Sequence, residues 1–344
     1  MQYKQKLTAL CSICAALLII YILTFVFNKE KSDVRSAQWT ILSEKVTSTA
    51  EKIEISGKSN IKLVKDGSKW AVSLDDSIFP AKQDKIKAFF ADLAAKGEYS
   101  VRSAKGGSLD EFGLGANAES IKIYGANDAL LLDLLVGKSG ITGKNVFLSK
   151  RGEKEVRSGA DTLTQYLNGS LSTWEDLRLF AHADKDGEPA ITSSAVQRVM
   201  VYQRQSDQST DAVLTADWAI VRSDKGWKFE SASTGSEDGG AASGNVDTTK
   251  ADTFIQGILD SNADDFVTSL QSSDAVFAVK GKVPGRIILE TEDGKDYTVT
   301  LGPKVNEKYT AVVGGTAANA SSYVYALADW TVNRLWRSGD TVKE

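Results

Sequence analysis

The sequence predicts an α+β protein: an N-terminal transmembrane helix, then two tandem repeats, each a largely antiparallel sheet with one main helix. Three observations lead to this fold class. An uncharged run of 21 residues lies near the N-terminus, two stretches of the chain resemble each other at an offset of 165 residues, and apolar residues alternate with period two inside those stretches. The 344 residues are 42% apolar and 25% charged, which is the composition of a globular protein.

The first predicted element is a membrane anchor at residues 7–27, LTALCSICAALLIIYILTFVF. At about 1.5 Å per residue, a helix of this length spans roughly 30 Å, the thickness of the hydrocarbon core of a bilayer. Residues 1–6, with Lys4 and Lys6, form a short cytoplasmic tail, and residues 28–49 form a spacer. The expected lipid contact of the chain is therefore residues 7–27.

The alternatives to an uncleaved anchor are a cleaved signal peptide and a lipidated cysteine. The apolar run is longer than that of a signal peptide, and it ends in Thr24–Phe27 without a small-x-small cleavage site. Cys11 and Cys14 follow bulky residues, which disfavours lipidation. We expect a single-pass protein of the inner (cytoplasmic) membrane, with its N-terminus inside and the bulk of the chain extracytoplasmic.

The internal duplication defines the next elements. In each copy a hairpin ending in tryptophan (60–72 and 217–229) precedes an amphipathic helix (84–94 and 249–259), then three short strands and a short helical segment near 159–167 and 324–336. In the strand blocks the offset of 165 places Leu132, Leu134, Val136 and Gly137 on Tyr297, Val299, Leu301 and Gly302, Ile123 on Ile288, and Phe147 on Val312. The first repeat is predicted over 50–180 and the diverged second repeat over 195–344.

Two polar stretches complete the predicted organisation. Residues 181–194, AHADKDGEPAITSS, form a linker between the repeats, and the Gly/Ser-rich residues 231–250 form a flexible insertion in the second repeat. The offset is 157 residues before this insertion and 165 after it, so the insertion accounts for the difference.

Charge and composition exclude several functions. Lys and Arg total 41 against 45 for Asp and Glu, a net charge of −4, so nucleic acid is not an expected partner. One histidine and two cysteines are too few for a zinc site or a disulfide scaffold. No cofactor and no metal are expected.

No catalytic residues are predicted either. Gly137-Lys138-Ser139 lacks the upstream glycine of a phosphate-binding loop and is interpreted as a turn after a strand. His182 lies in the linker, without a nucleophile motif beside it. Adjacent carboxylates are interpreted as solvated turns and caps; they are Asp75-Asp76, Glu237-Asp238, Asp264-Asp265 and Glu292-Asp293. The chain is therefore expected not to be an enzyme.

The candidate functional residues form a partner surface near the ends of the two repeats. Trp174, Arg178, Trp330 and Trp336 lie in TWEDLRLF and DWTVNRLW. Tryptophan and arginine are favoured anchors at protein interfaces, although burial at the ends of helices is the simpler explanation for the tryptophans.

Several short motifs together resemble one bacterial family. They are the N-terminal membrane helix, the hairpin IKLVKDGSKWAV, Asp110-Glu111-Phe112-Gly113-Leu114, Val136-Gly137 and NVFLSK. This pattern resembles DUF4340, with the match closer over 50–180; in the second repeat Phe277-Ala278-Val279-Lys280 replaces Phe-Gly-Leu. The resemblance implies a bacterial envelope protein associated with ABC-type transport systems of the gliding-motility auxiliary kind. It implies no catalytic residues.

The sequence and the resemblance together lead to an expected function. We expect a membrane-anchored, non-catalytic, extracytoplasmic accessory component of an ABC-type transport system, with permease or ATPase subunits, or related envelope proteins, as partners. The alternatives are an envelope module that binds glycan or wall material without a transporter, and a carboxylate-dependent hydrolase.

Overall fold

The structure is a computed structural model. It describes residues 36–74, 77–104, 109–180, 191–202, 217–230, 244–270, 285–315 and 323–344, together with Leu17. The chain divides into two units, Met1–Trp174 and Glu175–Glu344. Each unit contains one antiparallel sheet, of ten strands in the first and eight in the second, which confirms the predicted α+β class with largely antiparallel sheets.

The first unit contains ten strands and three α-helices in its described part. The strands are β1 (Ser36–Trp39), β2 (Lys52–Ser56), β3 (Asn60–Asp66), β4 (Lys69–Leu74), β5 (Ser77–Pro80), β6 (Gly97–Ser103), β7 (Glu119–Tyr124), β8 (Leu130–Ser139), β9 (Asn145–Lys150) and β10 (Val156–Ala160). The helices are α1 (Glu44–Thr47), α2 (Gln83–Ala94) and α3 (Thr164–Leu167).

The second unit contains eight strands and two α-helices in its described part. The strands are β11 (Val196–Tyr202), β12 (Trp218–Ser223), β13 (Gly226–Phe229), β14 (Asp265–Val267), β15 (Gly285–Thr291), β16 (Asp296–Val305), β17 (Lys308–Gly314) and β18 (Val324–Leu327). The helices are α4 (Thr248–Leu259) and α5 (Asp329–Leu335).

The two sheets have the same strand order. The first runs β1-β6-β10-β9-β8-β7-β2-β3-β4-β5, and the second, taken from its other edge, runs β14-β18-β17-β16-β15-β11-β12-β13. Each second-unit strand therefore occupies the place of the first-unit strand with the same position along the chain. A β-bulge also recurs, between Val136 and Ser139 in β8 and between Leu301 and Lys304 in β16, which are 165 residues apart.

The strand pairing corrects two of the matches predicted from the sequence. Ile123 pairs with Leu132, and Leu289 pairs with Tyr297, so the counterpart of Ile123 is Leu289 and not Ile288. Similarly, Val136 pairs with Leu148 and Leu301 with Ala311, which makes Thr310 the counterpart of Phe147 instead of Val312. Small differences in turn length cause these shifts, and a uniform offset cannot represent them.

Each unit begins earlier than the predicted repeats. Residues 36–42 were predicted to be spacer, but β1 pairs with β6 through Trp39 and Gly97, and Ile41 and Leu42 are buried. In the second unit Arg178 pairs with Asn262. Gly97 and Asn262 each lie three residues after the end of the main helix, so residues 175–180 take the place of β1. The predicted linker therefore lies inside the second unit; its residues 181–190 are outside the described part.

The predicted insertion at 231–250 is also shorter than expected. Residues 231–243 lie outside the described part of the chain, but Asn245 pairs with Lys228 of β13. The Asp247 side chain accepts hydrogen bonds from the amides of Thr249 and Lys250 and so caps α4.

One face of each sheet carries the core of its unit. In the first sheet Ile53, Ile55, Ile121, Ile123 and Leu134 point to the face that packs against Phe89 of α2. Alternate residues such as Glu54 and Lys122 point to the opposite face, as the period of two requires. In the second sheet Val199, Val201, Ile287 and Leu289 are buried on the corresponding face.

The predicted membrane span at 7–27 falls, except for Leu17, outside the described residues. Within the described part of the chain, no helix combines the length and the apolar character needed to cross a membrane.

Candidate functional site

An exposed tryptophan lies on α5, the short helix that follows the last strand of the second unit. Asp264 fixes the start of this helix, because its carboxylate accepts a hydrogen bond from the amide of Ala328 at 2.7 Å. Val332 and Leu335 bury the inner side of α5. Trp330 projects from the outer side and is 59% exposed. A large aromatic ring that a packed helix holds in water is available for contact with a partner.

Arg334 lies one helical turn after Trp330 and contacts its ring. Its guanidinium carbon lies 5.3 Å from the centroid of the Trp330 ring, and one terminal nitrogen donates to Ser261 Oγ at 3.2 Å. The hydrogen bond and the cation–π contact hold the two side chains together. We call Trp330 and Arg334 the α5 pair. Arg334 was not predicted from the sequence, although its spacing of four residues from Trp330 was the available signal.

The other two predicted tryptophans are placed differently. Trp174 is fully buried in the core of the first unit, where its ring packs against Phe89 and Tyr166 and lies under the Lys85 ammonium. Its carbonyl accepts a hydrogen bond from the amide of Lys82 at 2.8 Å, at the start of α2. Trp174 is thus a core residue that closes the first unit, and its place in the predicted partner surface was wrong.

Trp336 is half-buried and packs against the backbone at Gly285. A Cβ at position 285 would lie 2.6 Å from the indole nitrogen of Trp336, so the close approach depends on the missing side chain. Arg178 forms an ion pair with Asp176, and its carbonyl accepts a hydrogen bond from the Tyr325 hydroxyl at 3.2 Å. Both residues have structural contacts in the second unit, which leaves Trp330 as the exposed member of the predicted set.

The segment Asp110–Leu114 packs against the bulge of β8. Gly113 has φ of 73°, and a Cβ there would lie 2.8 Å from the amide nitrogen of Lys138. At Gly137 a Cβ would lie 2.2 Å from the carbonyl oxygen of Phe112. The two glycines therefore allow the segment to lie directly on the bulge of β8. Leu114 joins a small buried cluster with Leu135 and Val156.

Gly137-Lys138-Ser139 lies at that bulge, inside β8, and not in the predicted turn after a strand. The extra residue of a bulge accounts for the glycine without any phosphate. The second unit has its bulge at the same place, at Gly302-Pro303, where the missing amide of the proline is tolerated because bulges interrupt the ladder.

Two of the carboxylate pairs lie in the described part of the chain. Asp264 accepts hydrogen bonds from the Ala328 amide and the Thr331 hydroxyl at the start of α5. Asp293 lies in the turn between β15 and β16, as predicted, and the Lys295 ammonium and the Thr291 hydroxyl lower the pKa of Asp293 to about 2. Asp75-Asp76, Glu237-Asp238 and His182 lie outside the described residues. Among the residues that the structure does describe, no cluster of three or more His, Cys, Asp or Glu side chains is arranged to hold a metal ion.

The fold and the α5 pair define a class: a tandemly duplicated α+β protein with an exposed aromatic–cation pair on its second unit. The sequence profile of the family described as "Domain of unknown function (DUF4340)" matches residues 70–278, which is more than half of the chain. The protein belongs to this family. Neither the curated proteins nor the solved structures contain a significant match.

Proposed function

We propose that the protein is a membrane-anchored, non-catalytic, extracytoplasmic accessory component of an ABC-type transport system. The observation that carries the proposal is the α5 pair. Trp330 is 59% exposed, and Arg334 holds its ring from one side, so the ring is preorganised for an interface. The motif resemblance to DUF4340 supplies the class of partner, a permease or ATPase subunit.

The apolar run at 7–27 supports the membrane location. A tether of this kind raises the effective concentration of the folded units near a membrane partner, so a small anchor such as the α5 pair can suffice for binding. The envelope-binding alternative, with glycan or wall material as ligand, relied on exposed aromatic rings at 174, 330 and 336. It loses support because Trp174 is buried and Trp336 is half-buried.

The test is affinity purification of the full-length protein from its native membranes after gentle detergent extraction. We expect permease and ATPase subunits in the eluate, and we expect Trp330→Ala to reduce their yield by about tenfold, the usual scale for removal of an aromatic anchor. Asn333→Ala, on the exposed side of the same helix, is the matched control and keeps the yield unchanged. An eluate without transporter subunits for the unaltered protein would contradict the proposal.

A further inference from the structure

The guanidinium of Arg334 is held in a fixed position by a buried hydroxyl group. Ser261, two residues after the end of α4, is fully buried, and its hydroxyl donates a hydrogen bond to the carbonyl of Gly257 at 2.7 Å. Because the proton of Ser261 is used in this way, its oxygen accepts the hydrogen bond from Nη2 of Arg334 at 3.2 Å. This bond and the contact with the Trp330 ring together fix the head of the arginine side chain.

Within the described part of the chain, no carboxylate forms an ion pair with this guanidinium. The acidic side chains of α5 and of the segments beside it have other partners. Asp329 forms an ion pair with Lys304 at 2.8 Å, and the Asp264 carboxylate accepts a hydrogen bond from the backbone at the start of α5. Asp260, at the end of α4, accepts a hydrogen bond from a side-chain amide of the same helix. Among these described groups, the positive charge of the α5 pair is therefore not compensated.

The remaining donors of Arg334 lie beside an exposed aromatic ring. Nε is buried, and Nη2 is bonded to Ser261, whereas Nη1 is not among the buried nitrogens and has no partner among the described residues. Each terminal nitrogen of a guanidinium carries two N–H groups, so Nη1 and the second hydrogen of Nη2 can bind one carboxylate in bidentate geometry. The Trp330 ring, which is 59% exposed, offers an apolar surface at the same place.

We propose that the α5 pair binds an acidic segment of a partner protein. One aspartate or glutamate carboxylate of that segment binds the Arg334 guanidinium, and an apolar side chain next to it covers the Trp330 ring. The inference rests on the proposed function, since it takes the partner to be a subunit of the transport system. It deepens that function by assigning the chemistry that the partner carries at this contact.

Charge complementarity selects this occupant. The guanidinium of Arg334 has no counter-charge among the described residues, and its planar donors fit a carboxylate. An anionic lipid surface is typically recognised by a cluster of about four to eight Lys or Arg side chains. The helix α5, with the sequence DWTVNRL, contains a single basic residue. A directed contact with one acidic side chain therefore suits the α5 pair better than a membrane surface does.

A zero-length crosslink in native membranes tests this contact in the full-length variant Arg334→Lys. A carbodiimide activates a carboxyl group, and the new amine displaces the activating group when the two are in contact. An amide bond forms, and the carbodiimide leaves as a urea that has taken up the elements of water. We expect mass spectrometry of the purified complex to find position 334 linked to an aspartate or glutamate of a transporter subunit.

The matched control is Arg102→Lys, which places an amine on the exposed part of β6 in the first unit. We expect no link from position 102 to the transporter subunit. A link from position 334 only to a carboxylate of this same chain or to a lipid would overturn the proposal. So would the absence of any link from position 334, or equal linkage from both positions.

Recovery of the partner in affinity purification gives an independent test. Arg334→Gln should reduce recovery by about tenfold, the scale of one lost charge-assisted contact, and Arg102→Gln should leave it unchanged. Arg334 also supports the Trp330 ring, so the dependence on salt is the deciding readout. Raising the ionic strength from about 0.1 M to about 1 M shortens the screening length from about 10 Å to about 3 Å. Recovery with the unaltered protein should then fall more than recovery with Arg334→Gln, and an equal fall would overturn the carboxylate contact.

The outcomes separate this inference from the proposed function. Transporter subunits that are lost with Trp330→Ala but retained with Arg334→Gln would refute the carboxylate contact and leave the proposed function standing. Absence of transporter subunits with the unaltered protein would refute the proposed function. In that case, a link from position 334 to an acidic residue of a different protein would support the ligand chemistry assigned here, and no link would refute it as well.

Discussion

At the scale of single residues, the glycines of the Asp110–Leu114 motif and the β8 bulge have a packing role in this protein. Gly113 and Gly137 permit two backbone segments to touch, and any side chain there would overlap the opposite backbone. Their role is to hold the motif segment on the sheet. The sequence marked these residues as characteristic, but it gave no sign that the two parts of the motif pack on each other.

Gly137→Ala should therefore destabilise the protein. The new Cβ would lie 2.2 Å from the carbonyl oxygen of Phe112, which is backbone and cannot move aside freely. We expect a loss of about 1–3 kcal/mol in the free energy of unfolding, the usual range for overpacking. Urea unfolding in mild detergent measures it. Gly140→Ala, where the nearest atom is 3.6 Å away, is the control, and equal effects of the two variants would refute this explanation.

The surroundings of Tyr166 make the stability of the folded protein depend on pH in the alkaline range. Burial, together with the hydrogen bond from the Tyr166 hydroxyl to Asp92 at 2.7 Å, raises the pKa of Tyr166 well above its usual value of 10.0. The folded state thus favours the protonated phenol. The resulting stabilisation is complete below pH 10 and is lost as the pH rises above that value towards the folded-state pKa.

Tyr166→Phe should accordingly lower stability at neutral pH by about 1 kcal/mol, the value of one hydrogen bond, and should weaken the loss of stability above about pH 10. Unfolding curves across this range measure both effects. Asp92→Asn keeps an acceptor for the phenol but removes the charge. Its stability should therefore lie between that of the unaltered protein and that of Tyr166→Phe. If Tyr166→Phe and the unaltered protein lost stability in parallel at alkaline pH, Tyr166 would not be the responsible group.

At the scale of elements, the main helices of the two units begin differently. Asp247 caps α4 through two backbone amides at 2.9 and 3.1 Å, whereas Lys82 at the same place in α2 provides no side-chain cap. The residue before each helix is hydrogen-bonded to the C-terminal part of its own unit. The amide of Lys82 donates to the carbonyl of Trp174, and the amide of Asp247 donates to the carbonyl of Val342.

Asp247→Ala should cost about 1 kcal/mol of stability, the usual value for loss of a side-chain cap. Lys82→Ala, its counterpart in the first unit, should cost much less. Thermal unfolding of the two variants beside the unaltered protein measures the difference. A loss at Lys82 as large as that at Asp247 would show that the caps are not the relevant interaction.

The elements with strong periodicity were predictable, and the edge strands were not. The sequence located the hairpin of β3 and β4, the helices α2 and α4, and the strands β7 to β9, because each contains several apolar residues at regular spacing. It missed β1 as a strand, since four residues are too few for a pattern. It placed residues 175–180 in the first repeat, although their pairing with residues after α4 assigns them to the second unit. Such assignments depend on distant partners, which local pattern does not encode.

The candidate site was predictable in part. Trp330 was selected for its residue type and is exposed, but Trp174 was selected for the same reason and is fully buried. A tryptophan near the end of a unit can pack into the core or bind a partner, and its residue type does not distinguish the two. Only the fold distinguishes the two, because burial depends on how Phe89 and Tyr166 pack around it.

At the scale of the whole molecule, duplication gives one fold used twice with different surfaces. The first unit has Glu54 and Lys122 paired on its outer face, where the second has Met200 and Ile288, and the second also carries the α5 pair. In our account the second unit carries the partner contacts, and the predicted anchor at 7–27 keeps the chain beside a membrane partner.

The most direct test of this account is native mass spectrometry of the full-length protein released gently from its own membranes. We expect one discrete complex whose mass equals this protein plus permease and ATPase subunits in whole-number ratio. Release of this protein alone, or with wall fragments in place of transporter subunits, would contradict it.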